Sequence, residues 1–229
     1  MTVSTCAATS ESAGAAHRVN VVTQIRLVWK PLVFIVCLVP AALIVADIFG
    51  LGGTLGANPV EALQDRLGNW GLRFIMMALA VTPLRLLSGW NWLARFRRML
   101  GLFAFFYVLM HFLTWLFLDQ DFLLSAIAED IFERPFITLG FVAFLILLAM
   151  TATSTAGMRR RLGRRWQKLH YGVYLAGILG VWHYWWQVKQ DYSEPLLYAT
   201  VLGLLLGYRL LRRRSTILKK KRTAAAAGA

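Results

Sequence analysis

Cysteine and acid are both scarce in this sequence. Only two of the 229 residues are cysteines, Cys6 in a polar stretch and Cys37 inside an apolar run, and there is no CxxC or CxxCH. That excludes zinc sites and iron–sulfur clusters built on cysteine spacing, as well as covalently attached c-type haem. Acids number 11 against 25 Lys and Arg, with none between Asp65 and Asp119 and none after Glu194. Long polar stretches are missing too, which leaves no room for a separate soluble catalytic domain. The first 20 residues are rich in Ser, Thr and Ala but have no apolar core of the kind a cleaved secretory signal needs. There is no internal repeat, and no matched pair of Gly/Pro-broken helices of the sort that marks many transporter sites.

What the sequence does have is apolar mass. Hydrophobic residues make up 58% and charged residues 16%, more apolar surface than a soluble domain of this size can hide. A spanning helix takes about 20 apolar residues. Hydropathy predicts six, near 31–50, 71–88, 100–118, 136–153, 170–188 and 195–211, with a Pro40 kink in the first. The expected fold is all-α, a six-helix transmembrane bundle over residues 30–212. A polar tail over 1–29 precedes it, and a basic tail over 213–229, read as a disordered extension, follows.

A net charge of +14 in a soluble protein would suggest nucleic acid. Here the basic residues fall in runs at 95–98, 159–168 and 209–222, beside apolar segments, where cytoplasmic flanks of membrane helices belong. No nucleic-acid partner is expected; the lipid bilayer is the partner, with the basic end adding attraction to anionic lipid. Placing both termini in the cytoplasm leaves only Arg66, Arg73, Arg134 and Lys189 outside, so external loops are predicted near 51–70, 119–135 and 189–194. Every acid except Glu11 then sits at or near the outer face. Those acids are either ordinary solvated loop residues or a rim that steers a basic external partner.

Ionisable side chains inside hydrocarbon are functional candidates by default. Asp47 and Arg73 lie near outer ends, where snorkelling suffices, and Arg85 lies near an inner end. Histidine remains. His111 in the third span and His183 in the fifth lie roughly 16 and 20 Å from the cytoplasmic ends at 1.5 Å per residue, near one depth. Two neutral imidazoles at one depth on different helices suit axial ligation of a b-type haem from opposite faces. The plainer reading is a pair of buried histidines bonded to helix carbonyls or to each other.

His170 opens the fifth span about 20 Å below His183, a spacing that suits a second haem iron. Its helical phase differs from that of His183 by roughly 220°, so a second haem would need bending or side-chain reach. The third span carries Arg97 where a partner ligand would sit, and arginine does not normally ligate iron. Arg97 reads either as a contact to a haem propionate or flavin phosphate or as an ordinary inside-positive residue. His17, in the polar tail, has no expected role. The aromatic clusters FAFFYVLMHFLTWLF and VWHYWW around the two histidines suit an interfacial belt, with a minority covering a macrocycle. Gly172, Gly177 and Gly180 would admit a planar ring.

The block TSTAGMRRRLGRRWQKLHYGVYLAGILGVWHYWW, with its Trp166-x-x-Leu169-His170 core, together with His111 and LGANPVEALQDRLGNWGLRF, closely resembles the MsrQ (YedZ) family over residues from about 30 to 212. That family consists of haem-binding membrane subunits of periplasmic methionine sulfoxide reductase systems, within the ferric reductase-like transmembrane superfamily. The resemblance implies an inner-membrane electron-transfer subunit, distinct from the catalytic reductase, carrying one b haem, or two, and FMN. It implies electrons drawn from the quinone pool or a cytosolic flavin reductase and passed to MsrP, a periplasmic molybdopterin reductase. By position it implies His111 and His183 as the outer haem pair and His170 as a ligand retained from an inner pair. Two other classes compete: a proton-relaying transporter or channel without redox cofactor, which would be colourless, and a non-catalytic anchor, whose complexes would survive without haem.

Overall fold

The computed structural model describes residues 23–189 and 191–227, and every regular element among them is helical. The polar tail expected over 1–29, with His17 and Cys6, lies mostly outside the described residues. The chain divides into two compact units, one ending at Gly53 and the other Thr54–Ala229. In the first, a π-turn at Ile25–Trp29 leads into α1 (Lys30–Ile48), which continues through Pro40.

The second unit opens with α2 (Pro59–Ser88), which is 30 residues long and corrects the predicted loop over 51–70. Its start follows from local chemistry. The Asn58 side chain accepts from the Glu61 N–H at 3.3 Å and donates to the Glu61 carboxylate at 2.9 Å, a reciprocal cap, and Pro59 supplies a first-turn residue with no N–H to satisfy. Hydropathy averaging read these polar first turns as loop. Next come α3 (Arg97–Thr114), continued by a π-turn at Trp115–Asp119, then α4 (Leu124–Glu133), α5 (Pro135–Ala152), α6 (Ala156–Leu162), α7 (Arg164–His170), α8 (Gly172–Gln187) and α9 (Ser193–Ala227). The predicted outer loop over 119–135 thus contains a helix, α4, with Leu124 and Phe132 exposed and Asp130 turned inward to Gln120 and Arg134.

Among the described residues, five helical segments are long and apolar enough to cross a membrane: Ile25–Ile48, Pro59–Ser88, Arg97–Asp119, Pro135–Ala152 and Ser193–Leu218. The sixth expected span is helical as well, but α8 has only 16 residues, and one non-helical residue, Tyr171, separates it from α7. Residues 213–227, expected as a disordered tail, continue α9 instead. Leu, Lys, Arg and Ala are strong helix formers, and the helix already running through the span spares them a new nucleus. Before α9, the Ser193 N–H donates to Asp191 at 2.9 Å, and the Ser193 side chain first, then this backbone bond, hold that exposed carboxyl below its usual range.

Within the second unit, α2 packs chiefly on α3, and α5 on α8; α3 meets α5, α2 meets α8, and α9 closes against α8 and α2. The α2–α3 approach is close: a Cβ on Gly71 would lie 2.6 Å from Val108 Cγ2 and 3.3 Å from its backbone N. Phe74 stacks on the fully buried Tyr107 at 5.1 Å. Two arginines fasten α9. Arg73 Nε donates to the Tyr198 hydroxyl at 2.8 Å, and Arg209 donates to the Tyr174 hydroxyl and to the Leu79 carbonyl, the latter at 2.6 Å. Arg73 is therefore bonded between helices rather than snorkelling, and Arg209 is half-buried in the bundle rather than a free basic flank. Outward faces stay apolar, with Leu84, Leu145, Trp182 and Leu204 exposed, as lipid contact requires and water would not favour.

Candidate functional site

Helices α2, α3, α5 and α8 surround a cavity of about 550 Å³, within the usual range of ligand sites. His111, from α3, and His183, from α8, face each other in it, with ring centroids 6.1 Å apart and ring planes crossed at 78°. Helix rise predicts one depth for the two, and the structure brings them together.

Each ring is held from behind. His111 Nδ1 lies 2.9 Å from the Gln64 carbonyl of α2, and His183 Nδ1 lies 2.7 Å from the Phe136 carbonyl of α5. A carbonyl only accepts, so in the neutral ring each Nδ1 carries the proton and Nε2 keeps its lone pair. Gly68 and Gly140 lie directly against the two rings. None of these four supporting residues was singled out from sequence. A backbone carbonyl has no residue-type signature, and the glycines that were noted, 172, 177 and 180, are others. Gly180 lines the cavity, whereas Gly172 and Gly177 pack on aliphatic side chains such as Ile146 and Leu202.

The aromatics divide between two roles. Phe112, Phe141 and Phe144 wall the cavity, with Phe112 and Phe144 stacked at 4.5 Å, while Trp182 and Trp186 are exposed outward. Trp115, in the π-turn after α3, also lines the cavity, and its Nε1–H is buried with no hydrogen-bond partner among the described residues. Arg134 and Lys189 stand at the polar end, with the carboxylates of Glu61, Asp65 and Asp119.

His170 does not line this cavity. Its ring stacks on Trp166 at 3.9 Å, its Nε2 lies 3.4 Å from the Thr153 hydroxyl, and Trp166 Nε1 donates to the Thr153 carbonyl at 2.9 Å. Arg97 begins α3 and donates to the Thr82 hydroxyl; the helix rise puts it about 21 Å from His111.

Two imidazoles with free Nε2 lone pairs, on opposite sides of a cavity walled by aromatics, can hold a metal between them. Among the described residues no group of three or more His, Cys, Asp or Glu could hold a metal ion. A metal ion here would therefore have to bring its remaining donors with it, as a macrocycle does.

The comparisons with known proteins agree in direction. Residues 67–181 match the family model described as ferric reductase like transmembrane component. A protein of Rhodospirillum rubrum named protein-methionine-sulfoxide reductase heme-binding subunit MsrQ is 53% identical over 188 residues, 80% of this chain and 89% of that one. Proteins of the same name from Herminiimonas arsenicoxydans and Xanthomonas oryzae are 47% and 44% identical, covering 82% and 87% of this chain and 86% and 93% of their own. With its all-helical membrane architecture, this chain belongs to the MsrQ family of ferric reductase-like transmembrane proteins.

Proposed function

We propose that this chain is the haem-carrying membrane subunit of a methionine sulfoxide reductase system. It takes electrons at the cytoplasmic side of a bacterial inner membrane, from the quinone pool or a cytosolic flavin reductase. It passes them outward through FMN and b haem, one or two, to an MsrP-like periplasmic molybdopterin reductase. Residues 30–212 are the haem domain, with both termini cytoplasmic. FMN, the donors and the acceptor enter this reading through the family.

The observation that carries it is the facing pair of imidazoles. A metal–imidazole bond is about 2 Å, so one iron between two nitrogens holds them about 4 Å apart and the ring centres roughly 2 Å further. The 6.1 Å separation meets that requirement. The residues present fit the group. His111 and His183 would hold it through Nε2, the phenylalanines would exclude water, and the unpaired Trp115 N–H, with Lys189 and the guanidinium nitrogens of Arg134 left over from its Asp130 pair, would be available to the propionate carboxylates. When bound, the haem supplies a one-electron iron couple.

The protein's own contribution is position and potential. Backbone bonds at Nδ1 fix each tautomer and raise the basicity of Nε2. His170, engaged by Trp166 and Thr153, stays outside this site, so a second haem would need a seat of its own at the other end of the helices. Arg97, far from the imidazole pair, is assigned to a flavin phosphate instead of the haem propionates.

The test is reduced-minus-oxidised absorption spectroscopy of the purified protein. His111→Ala and His183→Ala should each abolish the signal of the outer b haem, the one held between them. If both kept full haem content and unaltered spectra, the ligand assignment would be wrong. A colourless parent protein would favour the proton-relaying alternative.

A further inference from the structure

We infer that Gly68 and Gly140 are positioning residues, each forming the floor of a seat that fixes the height and plane of one imidazole in the cavity. The inference rests on the haem-ligand reading above and extends it to residues that have no side chain.

The two seats are built alike on different helices. In α2 the Gln64 carbonyl receives His111 Nδ1, and one turn later comes Gly68; in α5 the Phe136 carbonyl receives His183 Nδ1, and one turn later comes Gly140. A carbonyl inside a helix already accepts from the N–H four residues on, so a second donor must enter from the side. Helix Cβ atoms lean toward the N-terminus, so a side chain one turn on overhangs that route. Glycine leaves it open.

The clearances bear this out. A Cβ at position 68 would lie 3.1 Å from Nδ1 and 3.3 Å from Cε1 of His111. At position 140 it would lie 2.9 and 3.0 Å from the same atoms of His183. Alanine would therefore push each ring off its carbonyl, more severely at 140. Other helical glycines differ: Gly101 and Gly203 face open space, while Gly71 and Gly172 meet aliphatic side chains. The crossed planes, 78° apart, follow from these two seats. For an iron held by both rings, the angle between axial ring planes sets the splitting of its π-type d orbitals, so seat geometry can be read in the ferric low-spin resonance spectrum.

The experiment uses the full-length chain as Gly68→Ala, Gly140→Ala and, as control, Gly101→Ala. Haem per polypeptide and electron paramagnetic resonance are measured on protein prepared with haem. Nitrogen-15 histidine resonances are measured on protein prepared without it. Gly101→Ala should match the parent. Gly68→Ala should keep haem with shifted g-values, and Gly140→Ala should shift them further and retain haem roughly tenfold more weakly. Without haem, Gly68→Ala should move the His111 Nδ1 resonance alone, and Gly140→Ala that of His183 alone. Alanine is the better helix former, so these losses would not come from helix propensity. The inference is overturned if both variants leave their own histidine's resonance and the g-values as Gly101→Ala does. A parent without haem would remove the ligand reading, and the histidine resonances would still decide the seats.

Discussion

A neutral imidazole tied through Nδ1 to a carbonyl has one nitrogen left to offer, and the cavity holds two such rings. Among the described residues, the cavity's unsatisfied buried donor is the indole N–H of Trp115. A buried donor without an acceptor is unfavourable, and removing it is neutral or stabilising, whereas a hydrogen bond from it to a charged group contributes about 1.5–3 kcal/mol. Trp115→Phe should therefore leave the haem-free chain at least as stable to heat while weakening haem affinity roughly tenfold or more. Thermal unfolding and haem titration check the two halves separately, and parental affinity would remove Trp115 from the cofactor contacts. At this scale the histidine pair was legible, because helix rise converts sequence position into depth. The seats were not. Their acceptors are backbone, and Gly68 and Gly140 look in sequence like any other small residue in an apolar helix.

Between elements, the fold depends on where helices begin and how closely they approach. The cap at Asn58 starts the turns that carry Glu61 and Gln64 to the cavity wall. Asn58→Ala should cost about 1 kcal/mol, seen as faster amide hydrogen exchange over 59–64 with later α2 amides unchanged; uniform protection would mean the cap is idle. Gly71→Ala should destabilise the protein by about 1–3 kcal/mol, because the new Cβ meets Val108 at 2.6 Å. Adding Val108→Ala should recover part of that loss, the residue being the 3.3 Å approach to the Val108 backbone, and thermal unfolding of the pair decides. The Asn-Pro-x-Glu pattern at 58–61 was available in the sequence, but hydropathy windows average over it, and so the start of α2 was misplaced. The continuation of α9 was missed for the converse reason: its charge suggested solvation, while the helix propensity of the same residues went unused.

For the whole molecule, the strongest organising feature is the bias of charge along the sequence: acids other than Glu11 fall in or near alternate connections between the predicted spans, and all bases but Arg66, Arg73, Arg134 and Lys189 fall in or near the others or the two tails. Insertion reads loop charge directly, so this bias predicts the topology, and accessibility tests it. In a background lacking Cys6 and Cys37, Ser125→Cys in α4 should react with a membrane-impermeant maleimide added outside intact cells. Ser215→Cys in α9 should react only after permeabilisation, and the reverse pattern would invert the proposed topology. That last helix has a mechanical consequence as well. Its 35 residues give a rod of about 52 Å, against a hydrocarbon layer of about 30 Å. The basic turns after Leu211 thus continue the span as one rigid helix instead of starting a flexible tether, so motion of that end is tied to the tilt of the span itself.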